Sequence, residues 1–395
     1  MKKILLLFIL SSALFSCVDK DAEYFDPRGT DYAGSQSCIQ CHKATYESEL
    51  AHAHYSATAP GTPENVLGNF SEGHNAFAYE NGAKIVMEKR GDSIYHVLYK
   101  DGKEQKAFNV GIVFGSRNAQ TSVYWENHNT YELPVSYYTS ARNWGTSPGF
   151  SSTEPLFSRK VIKDCYACHS SNASSNVMKV SSEKTNFMTV DVEDIIDPKT
   201  IVFGIDCERC HGPAKKHVTH HLKFPEEKAA FAMVKYASLN NQQKLDACAI
   251  CHSGVSGIKV KSIFTFKPGD QFSDYWLKPQ SGHYDVHGNQ YGLLSQSQCF
   301  IKSDNLNCVS CHKPHDGKKQ NPEYFTPVCV DCHKTMSHTP ATSKNISLKH
   351  LEKNCVDCHM PKQASGAIIF QQYKNSEFSK YLLHTHKIGV YPSTP

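Results

Sequence analysis

The sequence predicts a mostly α-helical and irregular chain, interrupted by one β-rich insert. Three observations predict it. Seven Cys-x-x-Cys-His repeats are scattered unevenly along the 395 residues. Hairpin turn signals recur about every ten residues between the first and second repeats. From about Phe157 onward little periodicity is sustained, and short segments marked by Pro and Gly suggest loops and brief helices.

Taken in order, residues 1–16 read as a lipoprotein signal peptide. Lys2 and Lys3 precede the apolar run Ile4 to Leu10, which is too short to span a bilayer. Leu14-Phe15-Ser16-Cys17 resembles a lipobox, which would make Cys17 the lipidated first residue of an exported protein. Residues 17–34 are polar and acidic, as a tether would be. Residues 35–65 carry the first repeat. Residues 66–150 form the insert, where Asn81-Gly82, Gly91-Asp92 and Asp101-Gly102 punctuate apolar runs and predict a β-meander. Thr121 to Trp125 and Thr130 to Leu133 predict a further hairpin. Residues 151–395 hold the other six repeats. Helices are expected over 43–53, 225–234 and 239–247.

The repeats are Cys38/Cys41/His42, Cys165/Cys168/His169, Cys207/Cys210/His211, Cys248/Cys251/His252, Cys308/Cys311/His312, Cys329/Cys332/His333 and Cys355/Cys358/His359. Two thiols three residues apart can each add to one vinyl group of the same porphyrin. The imidazole that follows then lies under the ring and binds iron. Chance placement at this composition gives ~0.04 copies. Zinc sites and redox dithiols also use Cys-x-x-Cys, but neither requires His directly afterwards every time. The expected cofactors are therefore seven covalently attached c-type haems. Only Cys17 and Cys299 lie outside the repeats.

Fifteen further histidines are available as ligands to the opposite face of each iron: His52, His54, His74, His96, His128, His217, His220, His221, His283, His287, His315, His338, His350, His384 and His386. Methionines are few, and Met360 follows a proximal His too closely to reach the far face. Bis-His ligation is the economical reading, and it implies low potentials. His217 and His315 follow a proximal His so closely that they can ligate only a neighbouring haem, cross-linking the array. His96 and His128 lie in the insert and are expected to be structural.

The polypeptide carries a net charge of +4 with no dense basic run, so nucleic acid is not an expected partner. Propionates would add about −14, against about +7 from ferric porphyrin centres, which makes the holoprotein acidic. About 54 residues of mature chain per haem make porphyrin much of the apolar core.

Several passages resemble the cytochrome c-554-like family of periplasmic multihaem cytochromes, relatives of tetratricopeptide-linked multihaem cytochromes. They are YAGSQSCIQCHKATYESELAHAHYSA, VLGNF, ELPVSYY, NWGTSPGF, CERCHGPAKKHV, QSQCFIKSDNLNCVSCHKPHDG, CVDCHMPK and HTHKIGVYP. The resemblance implies a multihaem cytochrome c fold, mostly α and irregular, around the insert. It places His54, with His52 as runner-up, and His217, His315 and His386 as distal ligands. It extends more loosely to His283, His338 and His350. Cys299 stands where the pattern has Met and is expected to be a small buried residue.

The leading expectation is a membrane-tethered electron relay that meets redox partner proteins, as a periplasmic or cell-surface lipoprotein anchored at the outer membrane. The alternative is a reductase acting on a small nitrogen or sulfur oxyanion, or on hydroxylamine, at one iron with an open position. A third reading is a subunit that holds partners through the insert. Enzyme or carrier stays open at this point.

Overall fold

The computed structural model describes residues 25–175, 178–180, 190–192, 194–254, 257–277, 284–317, 321–335, 338 and 353–391. The proposed leader and Cys17, together with His283 and His350, lie outside them.

The insert folds as two antiparallel sheets laid face to face. One contains β2 (Ala76–Ala78), β3 (Lys84–Arg90), β4 (Ser93–Lys100) and β5 (Lys103–Asn109), paired in that order. The other contains β1 (Thr58–Pro60), β6 (Ile112–Phe114), β7 (Ala119–Glu126), β8 (Asn129–Tyr138) and β9 (Asn143–Thr146), again paired sequentially. The predicted turns close the hairpins. Asp101 and Gly102 both take positive φ, as do Asn127 and His128, which suits tight two-residue connections. His128 is thus a turn residue. Alternating side chains fill the space between the sheets. Ile94 packs with Tyr124 and Leu133, and Ile85 and Met87 pack with Val135 and Trp144. His96 is fully buried there, with its ring edge-on to Trp144, and both of its nitrogens lack hydrogen-bond partners.

Two findings correct the predicted fold class. Among the described residues more lie in strands than in α-helices, so the chain is mixed α/β rather than mostly α. The sheets also recruit chain from outside the insert. Strand β1 comes from the first repeat segment and pairs with β6. A C-terminal hairpin, Lys362–Phe370 with Ser379–His384, docks beside β9, where Thr146 N donates to Gln371 O at 2.9 Å and Phe370 stacks on Tyr138 at 3.6 Å. That strand's apolar positions are broken by Ser365 and Gly366, so its two-residue period was too weak to read.

The helices are short: α1 (Ile39–Leu50), α2 (Lys163–His169), α3 (Cys207–His211), α4 (Lys215–Lys223), α5 (Asn241–His252), α6 (Gln290–Leu294), α7 (Gln298–Ile301), α8 (Cys308–Cys311), α9 (Thr326–Cys332) and α10 (Cys355–His359). The expected helices near 43–53 and 239–247 correspond to α1 and α5. The one expected over 225–234 is absent, and that stretch consists of turns and bends. Its residues are largely exposed and present no apolar stripe to bury. Thr58 joins the sandwich to the helical part. Its Oγ1 donates to His169 O at 3.0 Å and accepts from Gly204 N at 2.9 Å.

Candidate functional site

Six of the seven repeats share one local geometry, with the two cysteines one turn apart on a helix, so both sulfurs emerge on one side. In the first, Cys38 closes a 3-10 turn that runs into α1. The histidine falls at the helix end: α2, α3, α5 and α10 terminate on it, α8 and α9 terminate one residue before it, and His42 sits at a kink with φ −120°. Local chemistry nucleates several of these turns. Asp206, Asn307 and Asn354 each immediately precede a first cysteine, and each side chain accepts a backbone N–H of the first turn.

Among the described residues, five of the seven proximal imidazoles face a second imidazole. Ring centroids lie 6.5 Å apart for His42 and His217, 6.0 Å for His252 and His54, 5.8 Å for His211 and His315, 6.1 Å for His312 and His386, and 6.3 Å for His359 and His338. Rings in direct contact sit closer, as His52 and His54 do at 4.7 Å. An iron bonded at about 2 Å to one nitrogen of each imidazole would place the centroids roughly 6.3 Å apart. The pairs therefore fit a hexacoordinate haem iron, whatever rotation each ring adopts about its bond. Among the described residues no three His, Cys, Asp or Glu side chains converge as a tetrahedral metal site needs.

Hydrogen bonds orient the rings. His359 Nδ1 lies 2.9 Å from Gly389 O, His217 Nδ1 lies 3.0 Å from Phe231 O, and His169 Nδ1 lies 3.4 Å from Ala57 O. A carbonyl only accepts, so each Nδ1 carries the proton and each Nε2 presents a lone pair. Burial holds several rings neutral, as metal ligation requires. It pushes His54 down to about 3 and His386 to about 4, with neighbouring histidines adding to the effect, and it also lowers His169, His211 and His312.

The ligand loops are held by the rest of the fold. His54 is fixed where Ile205 N donates to its carbonyl at 2.8 Å. A Cβ at Gly204, whose φ is +64°, would lie on Tyr55 O, so only glycine lets these segments meet. Ser297 Oγ donates to His386 O at 3.2 Å and accepts from Ile388 N at 2.7 Å. The segment 26–34, read from the sequence as tether, is clasped to the third repeat. Arg28 bonds Asp26, Asp206 and Glu208 at 2.8, 2.7 and 3.2 Å, and its side chain is 5% exposed. Glu208 also accepts from Ala33, Gly34 and Ala214 N–H groups at 2.9, 2.8 and 2.7 Å.

The repeats also touch one another. Cys38 lies beside Cys207, Cys168 beside Cys251, Cys248 beside Cys308, and Cys329 beside Cys355. Cys210 lies within electrostatic reach of Cys251, and Cys311 within reach of Cys332. The spatial order of repeats is thus first, third, fourth, fifth, sixth, seventh, with the second branching from the fourth.

Three cysteines expected to bind haem stand apart from this chain of sulfurs. Cys41, Cys165 and Cys358 are exposed, whereas Cys355, the partner of Cys358 in the seventh repeat, is buried. None of the three is among the sulfur contacts named above. They belong to the first, second and seventh repeats, the two ends of the line and its branch, where the other cysteine of the repeat lies against the neighbouring repeat. Their assignment to haem rests on the Cys-x-x-Cys-His spacing.

Of the distal ligands expected from sequence, His54, His217, His315, His338 and His386 are brought opposite a proximal ring, and His283 and His350 fall outside the described residues. His287 was not singled out by sequence. Its loop is pinned where Gly254 N donates to Gly288 O at 2.7 Å, and it lies within electrostatic reach of His169. Only its nearness to His283 could have suggested it. Cys299, expected to be buried, is half-buried at the start of α7.

No family model matches the chain, and no curated protein matches it either. Among solved structures, the chain is similar to one titled outer cell wall cytochrome OcwA, with a TM-score of 0.50 and 16% identity over 87% of this chain and 80% of that one. No described helix is long and apolar enough to cross a membrane. At 16% identity the likeness is one of fold, and the seven Cys-x-x-Cys-His repeats stand beside it as a feature of the sequence.

Proposed function

We propose that this chain relays electrons through seven covalently attached c-type haems with mainly bis-His ligation. The observation that carries the reading is the set of five facing imidazole pairs, each spaced for one intervening iron. The fourteen repeat cysteines, the exposed Cys41 and Cys358 among them, supply the thioether bonds, and the bound haems supply one-electron chemistry. The polypeptide sets ligand geometry, excludes water from the buried imidazoles and holds the porphyrin edges close.

The touching cysteines support a continuous path. Sulfurs bonded to the vinyl carbons of two haems cannot meet unless the porphyrin edges are also near. The reading gives a line from the first haem through the third, fourth, fifth and sixth to the seventh, with the second as a side branch. The lipobox-like start, and the likeness to a cytochrome titled as belonging to the outer cell wall, favour an exported lipoprotein anchored through Cys17 that meets redox partner proteins.

Two measurements test this. Mass spectrometry of mature protein is expected to show seven added masses of ~616 Da each. Electron paramagnetic resonance of the oxidised protein is expected to show predominantly low-spin iron. Bare polypeptide mass would end the reading. Several high-spin irons would favour the reductase alternative, whose first places would be the second and sixth haems, since His169 and His333 have no facing imidazole among the described residues.

A further inference from the structure

A basic cleft of about 250 Å³ opens beside the second repeat. Its walls include Lys163, Asp164 and Ala167 of α2 and Lys259, Lys261 and Phe264 from the chain after the fourth repeat. Ala167 lies between Cys165 and Cys168, and the charge of Lys259 reaches both sulfurs. One carboxylate, Asp164, pairs with Lys259, which leaves the cleft net positive.

Around it lies an exposed apolar rim. Ile258 and Leu277, cross-strand partners in a two-stranded ribbon, are 67% and 56% exposed. Val260 is 52% exposed and Ile162 44%. Apolar side chains on both strands of so small a ribbon, standing outward beside lysines, have no partner within the described chain. Trp276 and Ile263 of the same region are buried in one cluster with Ala167 of the cleft wall.

We propose that this cleft and its apolar rim are a docking surface for an acidic redox protein, which exchanges electrons with the second haem. The inference rests on the relay reading. Charge complementarity selects the occupant. Propionates make the holoprotein acidic as a whole, so a net-positive cleft is a local exception that orients an approaching negative surface. The apolar rim supplies desolvated contact once the lysines have steered the encounter. The placement explains the side branch: the second haem is off the line joining the other six, where it can serve as an entry or exit port. The cleft is open and shallow, and its apolar rim suits a protein surface better than a small oxyanion. The step is a one-electron transfer: the partner's cofactor loses one electron and the ferric second haem gains it, or the reverse, with no bond made or broken.

The test uses holoprotein, stopped-flow spectroscopy and reduced flavodoxin as the acidic donor, with small-molecule reductants as controls. The wild-type rate constant is expected to fall as ionic strength rises. The Lys163→Glu/Lys261→Glu variant should be slowed about tenfold at low salt, with little difference at high salt. Ile258→Ser/Leu277→Ser should slow the reaction at all salt concentrations. Reduction by a neutral small donor should be unchanged in both variants, which also shows that each is folded and fully loaded with haem. Equal rates for wild type and variants with flavodoxin would overturn the docking surface while leaving the relay intact. Slowing with small anionic reductants to the same degree as with flavodoxin would overturn it in favour of a small-anion site. Failure of any donor to reduce more than isolated haems would sink the relay reading itself.

Discussion

Gly317 is two residues beyond His315 and outside every repeat, and on the relay reading it helps to position the distal ligand of the third haem. The loop that carries His315 rests on the end of α1. Ser48 Oγ donates to His315 O and lies 3.4 Å from Gly317 N. A Cβ added at Gly317 would stand 2.4 Å from Ser48 O, 2.8 Å from Ala51 Cβ and 3.0 Å from Ala51 C. Two of those atoms are helix backbone and cannot rotate aside. Reaching even 3.0 Å from Ser48 O requires a shift of about 0.6 Å, and a relaxed contact requires roughly 1 Å. His315 is part of the same turn and moves with it. Its nitrogen must hold an iron bond of about 2 Å, so a displacement approaching half that length breaks the ligation or leaves it severely stretched. Gly317→Ala should therefore convert one haem in seven from low-spin to high-spin without losing covalent haem. The assay is quantitative electron paramagnetic resonance of the oxidised protein, with His315→Ala as the reference and mass spectrometry as the check on haem content. A Gly317→Ala protein that stays fully low-spin while His315→Ala does not would refute the claim that α1 sets the position of this ligand.

Four further outcomes follow from the geometry. Removing His217 should make the first haem high-spin, and exogenous imidazole should restore the low-spin signal; no high-spin gain in His217→Ala would remove His217 from the ligand set. Glu208→Gln replaces a carboxylate oxygen that accepts Gly34 N–H and Arg28 with an N–H₂ facing two donors, and should cost about 2–5 kcal/mol, read as a lowered thermal transition. Leu133→Ala opens space at the fully buried centre of the sandwich and should cost about 2–5 kcal/mol in denaturant titrations while leaving the haem spectrum intact. Glu49, at the end of α1 near Cys207, is pushed up to about 7 by burial, and its Oε2 has no hydrogen-bond partner. Since its folded pKa exceeds the ordinary carboxyl value, the stability it contributes is full below about pH 4.5 and is lost as pH rises towards 7. Over the same upper range its ionisation should lower the potential of the nearby third haem, and Glu49→Gln should flatten that pH dependence in spectroelectrochemical titrations.

What the sequence determined by itself is what depends on short-range chemistry. The thioether-and-proximal-ligand unit spans five consecutive residues, so Cys207, Cys210 and His211 announce their role without any knowledge of the fold. Cys41, Cys165 and Cys358 are the extreme case, since their repeats alone speak for them. The hairpin turns were legible for the same reason: Asp101-Gly102 sets its own backbone angles. It could also be reasoned that His217 and His315 must reach across to a neighbour, because neither can loop round its own macrocycle. Which neighbour was another matter. His42 meets His217, and His252 meets His54, only because α1 and its loop lie against the third and fourth repeats, held by the Arg28–Glu208 clasp and the Tyr55–Gly204 approach. The branch position of the second repeat, the docking of the C-terminal hairpin on β9 and the half-exposure of Cys299 likewise depend on packing between distant segments. A spacing in sequence constrains a contact only when the intervening chain is too short to wander; beyond a few residues, the tertiary structure alone decides which imidazole faces which iron.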